Sequence, residues 1–220
     1  MHIQLHLKQI TTNRIMTKFT LFTACLFSFN VLLAQVNLEK ELASSNSLEV
    51  KEGMTLVYGA NYYGNEFDIN FHIKSLNHQV VFDYDGTGGR DNSGTIIMAE
   101  KALEMARAQD NYYHDGGKKN LENQTTIWVS KLVFNKLVSQ GEVSISTDGG
   151  ASQVRLMDGV IQHDFPITNV ENAETNISCI YAATADEKVK YWVSLNEDNP
   201  IILRMEMGWS IWLKEVKMDK

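Results

Sequence analysis

Between Phe67 and Ile73 a large apolar residue falls at every second position, Phe67, Ile69, Phe71 and Ile73, and the residues interleaved with them, Asp68, Asn70, His72 and Lys74, are polar. Successive side chains of a strand point to opposite faces, so this alternation describes a strand with one buried face. Val80, Phe82 and Tyr84 repeat the pattern. A two-residue turn at Leu76-Asn77 would pair Ile73 with Val80, Phe71 with Phe82 and Ile69 with Tyr84, gathering every bulky residue on one side. Met54–Tyr58 opens the sheet ahead of this hairpin, and Thr95–Met98 follows it. Further strands are expected at Thr125–Val129, Glu142–Thr147 and Gln153–Met157, and four in succession at Ile177–Ala183, Val189–Leu195, Ile201–Met205 and Trp209–Val216.

In the last hairpin a three-residue loop Glu206-Met207-Gly208 pairs Met205 with Trp209, Leu203 with Ile211 and Ile201 with Leu213, with Gly208 in the left-handed position such loops require. The opposite face carries Ile202, Arg204, Trp212 and Lys214, and there Trp212 needs a cover: a helix, a ligand or the N-terminal arm. Helical spacing and propensity point to Ala99–Gln109 and to a short helix from Lys131 to Val138 capped by Ser130. The fold class expected is therefore mainly β (α+β), a curved antiparallel sheet or half-barrel with one or two short helices.

Residues 1–35 have the layout of a secretory leader. Lys8, Arg14 and Lys18 precede the apolar run Phe19–Phe27, and the segment ends Leu33-Ala34-Gln35. Met16 is an alternative start, since the run from Met16 is itself a complete shorter leader. Ala24-Cys25 offers a lipid-attachment reading, but Phe22 stands where leucine is expected and the apolar run continues past Cys25, which argues against anchoring. The run is also too interrupted by Thr20, Thr23, Ser28 and Asn30 for a membrane span. The chain is expected to be exported, to the periplasm or beyond, with residues 36–220 forming a single β-rich domain. Losing the leader removes three of 20 Lys+Arg and none of 27 Asp+Glu, leaving a formal charge of −10. Such a surface repels nucleic-acid phosphates and anionic lipid headgroups. Cys179 is then the one remaining cysteine, so the fold has to rest on its core rather than on an internal disulfide.

No segment carries a cofactor signature, and no metal site is assigned. Asp83, Asp85 and Asp91 around Thr87-Gly88 resemble part of a calcium loop, but Gly94 occupies the position of the bidentate glutamate. His72 should point outward from its strand and His78 sits at a turn. With His114 and His163 they lack the spacing of a zinc site. Gly150-Ala151-Ser152-Gln153-Val154 is half a nucleophile elbow without its closing glycine, and Cys179, on a strand beside Ile177, reads as a small core hydrophobe.

The opening Glu52-Gly53-Met54-Thr55-Leu56-Val57-Tyr58 and the closing Asn199-Pro200-Ile201-Ile202-Leu203 with Trp209-Ser210-Ile211-Trp212-Leu213-Lys214-Glu215-Val216 resemble uncharacterised bacterial secreted domains. The resemblance implies the open half-barrel of periplasmic lipoprotein carriers, in which a curved sheet wraps a helical lid around a hydrophobic cavity. The function expected is a non-enzymatic exported protein that binds a lipid or other hydrophobic ligand on its concave face, lined by Met54, Leu56, Phe67, Phe71, Phe82, Met205 and Trp209. Two other readings stay open: an interaction or structural module with a filled core, and a secreted hydrolase with clustered carboxylates or histidine. The sequence leaves the oligomeric state open.

Overall fold

The computed structural model describes residues 45–86, 92–113, 116–150 and 152–218. The leader, Cys25, the arm up to Ser44, the Thr87–Asp91 part of the calcium-like loop and His114 lie outside the described residues. From Ser45 onward the chain forms one compact unit. Strands account for 57% and helices for 11%, so the mainly β class holds.

The alternating segments become β1 (Met54–Tyr62), β2 (Asn65–Ser75), β3 (Val80–Gly86) and β4 (Ser93–Met98). Helix α1 (Glu100–Met105) follows, then the short strands β5 (Ala108–Gln109), β6 (Lys118–Leu121) and β7 (Gln124–Thr125), and helix α2 (Lys131–Gln140). The last part holds β8 (Val143–Thr147), β9 (Ser152–Thr168), β10 (Glu174–Ala183), β11 (Lys190–Ser194), β12 (Ile202–Glu206) and β13 (Ser210–Met218). They form one sheet in the order β6-β4-β3-β2-β1-β13-β12-β11-β10-β9-β8-β5-β7. Most neighbours are antiparallel; β4–β6, β5–β7 and β5–β8 are parallel. A parallel bridge between Glu215 and Thr168 also joins β13 to β9, so β9 to β13 curl round onto themselves.

Both expected hairpins form with the right faces and with registers displaced by two residues. Ile73 lies opposite Phe82 and Phe71 opposite Tyr84, with a bulge between Ile73 and Ser75. A two-residue turn would have forced positive φ on Leu76, whereas the longer observed loop places that burden on His78 (φ 52). At the other end Met205 pairs with Ile211 and Arg204 with Trp212, so the loop is Met207–Trp209. Gly208 takes the left-handed conformation there (φ 83). Ile202, expected on the outer face, is fully buried: the ladder jumps from Trp192↔Arg204 to Val193↔Ile202, and this bulge turns Ile202 inward beside Val193.

The helix expected over Ala99–Gln109 stops at Met105. Its last residues are claimed by other partners, since Ala108 and Gln109 pair with Gln124 and Thr125 and the Arg107 carbonyl accepts from Ser146 N at 2.6 Å. Tertiary pairing overrides helix propensity here. The second helix starts as expected. The Ser130 hydroxyl accepts from Val133 N (3.2 Å) and donates to the Ala106 carbonyl just past α1 (2.6 Å), which ties the two helices together. Ser130→Ala should lose about 1–2 kcal/mol from the missing cap, with a further loss from the stranded buried carbonyl; urea denaturation checks this.

The core lies between the inner sheet face and the helical segment. Val133, Phe134 and Leu137 of α2 and Trp128 ahead of it are buried with Leu56, Tyr58, Phe71, Phe82, Tyr191 and Met205. The buried tyrosine hydroxyls of Tyr58 and Tyr191 are matched to specific partners: Tyr58 donates to the Ile202 carbonyl (2.7 Å) and Tyr191 to Gln109 Oε1 (2.6 Å).

Candidate functional site

Of the seven residues expected to line a concave ligand face, Leu56, Phe71 and Phe82 are fully buried, and Met205 (1% exposed) and Met54 (7%) are nearly so. Phe67 and Trp209 are half-buried, Phe67 on β2 opposite Ala60 of β1 and Trp209 in the last hairpin loop. The inner aromatic residues pack on one another. Phe71 meets Tyr58, Phe82 and Tyr113, each with ring centroids 5.3 Å apart, and Phe82 stacks on Trp128 at 5.9 Å. Burial pushes the Tyr58 and Tyr113 hydroxyls well above their ordinary pKa, so both remain protonated. Among the described residues, Trp128 Nε1 is the buried side-chain polar atom with no hydrogen-bond partner.

The outer face carries the second concentration of aromatic residues. Bulges and registers bring one residue from each of several strands into a row: Val160 on β9, Tyr181 on β10, Trp192 on β11, Arg204 on β12 and Trp212 on β13. The row continues over Gly59 on β1 to Asp68 on β2. Tyr181 and Trp192 lie 4.9 Å apart at 50°, and the Arg204 guanidinium sits 5.3 Å from the Trp192 ring centre. Trp212 lies over the bare backbone of Gly59, where a Cβ would come within 2.6 Å of its ring atoms Cε2 and Cζ2. The flanking cations are paired. Arg204 Nε donates to Glu206 (2.8 Å), Lys190 reaches Glu187 and Glu206, and Lys214 Nζ contacts both Asp68 oxygens at 2.8 and 3.0 Å. Sequence reasoning placed Arg204, Trp212 and Lys214 on one face, but the row also needs the β10–β11 register and the bulges, which alternation does not encode.

A polar relay crosses β1 to β3 on the same outer face. His72 Nδ1 lies 2.7 Å from the Thr55 hydroxyl and Nε2 lies 2.8 Å from Asp85, whose other oxygen accepts from Asn70 (2.7 Å). Hydroxyl, imidazole and carboxylate in this order can activate a nucleophile. Thr55, however, is only 5% exposed and cannot meet a substrate carbonyl, so the relay serves as a cross-strand clamp. Partial desolvation raises the Asp85 pKa, but hydrogen bonds from His72 and Asn70 and the His72 charge outweigh it and hold the carboxyl below its usual range. A depressed folded pKa adds stability above the ordinary carboxylate pKa and loses it as pH falls through the folded value. Asp85→Asn should therefore destabilise at pH 7 and become neutral in acid. Because Asp85 is about half exposed, the difference should stay under about 1 kcal/mol, read from urea midpoints at the two pH values.

Asp83 is likewise engaged, accepting from Thr95 (2.6 Å) and facing Lys74, and no group of three His, Cys, Asp or Glu that could hold a metal occurs among the described residues. Cys179 is fully buried, and its burial with the nearby Asp164 charge pushes the thiol up to about 12, leaving it protonated and unreactive. No helix among the described residues is long and apolar enough to cross a membrane. No protein family, curated protein or solved structure matches the chain, so its reading rests on its own residues.

Proposed function

We propose that the chain is an exported, non-enzymatic binding module that meets its partner on the outer sheet face, through Tyr181, Trp192, Arg204 and Trp212. The observation that carries this reading is the pairing of a self-filled interior with an organised aromatic row outside it. Aromatic rings and arginine are the side chains that contribute most per residue to recognition. Residue-resolved oxidative footprinting tests it. Trp192 and Trp212 should be modified in the purified protein and protected in intact producing cells; equal modification in both settings would remove the proposal.

A second reading keeps the hydrophobic ligand of a carrier-like half-barrel in the interior. The unpartnered Trp128 Nε1 favours it, because a buried donor without an acceptor costs about 1–3 kcal/mol, and an amphipathic ligand could supply the acceptor. Such a ligand would have to displace Tyr113 from Phe71 or Trp128 from Phe82. Native mass spectrometry separates the two readings: an adduct lost on delipidation supports the interior, and a clean apo mass supports the outer face.

A further inference from the structure

Resting on the outer-face reading, we propose that the partner is a neutral glycan chain lying along the aromatic row, across the strands. The strands that carry the row are interior to the sheet, with both backbone edges paired, so an extended peptide cannot join them as an added strand. Contact has to come from ring faces and planar polar groups. Ring faces are electron-rich and match the weakly positive C–H faces of pyranose rings. Neighbouring strands repeat every ~4.8 Å, a step close to the advance of one sugar along an extended chain. Tyr181 and Trp192 occupy adjacent steps, and Trp212 lies two strands beyond Trp192, with Arg204 between them.

Gly59 determines how Trp212 is presented. With no Cβ beneath it the indole settles close against the sheet, opposite Gly59 and beside Arg204 in the row. Charge then selects among ligands that stack. Arg204, Lys190 and Lys214 are each matched by Glu206, Glu187 or Asp68, and the whole chain is acidic. A polyanion gains no unpaired cation here. Hydroxyl groups, in contrast, can both donate to the carboxylates and accept from the guanidinium and ammonium groups.

The test is native affinity electrophoresis of the purified protein in gels cast with hydroxyethylcellulose, xylan or mixed-linkage β-glucan, against a plain gel and with serum albumin as the non-binding reference. At least one neutral polysaccharide should slow migration twofold or more, with little change on adding salt. Trp192→Ala and Trp212→Ala should each abolish the retardation, and Trp192→Tyr should keep part of it, in variants whose circular dichroism matches the parent. Normal migration in all three gels overturns the proposal, as does retardation that both alanine variants retain. Retardation only in a further gel cast with heparin, removed by salt, also overturns it. Protection of Trp192 and Trp212 in cells without any polysaccharide retardation leaves the outer-face reading standing and removes the glycan.

Discussion

Phe71→Ala should lower the unfolding free energy by about 3–5 kcal/mol, the range for removing a fully buried phenylalanine. Phe71 is 0% exposed and holds Tyr58, Phe82 and Tyr113 at once, so its loss leaves a void that three rings on separate segments cannot close together. Domains of this kind have only about 5–15 kcal/mol in reserve, and the variant should unfold at a much lower urea midpoint. Phe71→Leu should recover a good part of the loss. Phe82→Ala should be non-additive with it, because the two rings touch. A change below about 1 kcal/mol would mean that the ring is not packed, which would return weight to an interior cavity and its ligand.

Gly59→Ala should cost about 1–3 kcal/mol by overpacking, an unusual penalty for adding one methyl group to a strand. The added carbon would stand 2.6 Å from the Trp212 ring and 3.0 Å from Lys214 Cδ, so the indole has to lift off the sheet. A double-mutant cycle decides whether that contact is the cause. In a Trp212→Ala background the cost should fall by most of its value, giving a coupling of about 0.5–3 kcal/mol. Simple additivity would show that the ring does not rest on Gly59.

How far the sequence discloses this molecule depends on which force sets each feature. Side-chain alternation encodes burial, so the faces of β2, β3 and β13, and of β12 apart from Ile202, are legible from Phe67, Phe71, Phe82, Met205 and Leu213 alone. Register is set by turn energetics as well, and both hairpins slide by two residues, a step that preserves every face and is therefore invisible to alternation. The cap at Ser130 is local chemistry and reads directly. The early end of α1 is not local, because Gln109 is drawn away by Tyr191 and Thr125, far along the chain. The rear half of β9, from Asp158 to Thr168, lacks a clear alternation and was not legible as a strand; its pairing with β10 is interrupted by two bulges. The same holds for the site. Arg204, Trp212 and Lys214 share a face by parity, but their alignment with Tyr181, Trp192 and Gly59 exists only once five strands have been placed side by side.

The position of β13 has a consequence for the order in which the fold is completed. It is the last described strand in the chain, yet it sits in the interior of the sheet, between β1 and β12, with Met54 opposite Met218. The strands β1 to β4 on one side, and β8 to β12 on the other, can assemble from contacts between close sequence neighbours, which form quickly. The seam between them waits for the longest loop closure in the molecule. Until Ser210–Met218 has been made and docked, β1 and β12 each present an open edge, and open edges invite pairing with other chains. Shortening the chain from the C-terminal end therefore does more than trim a terminus: it leaves two half-sheets with unpaired flanks, and aggregation is the natural fate of such a fragment.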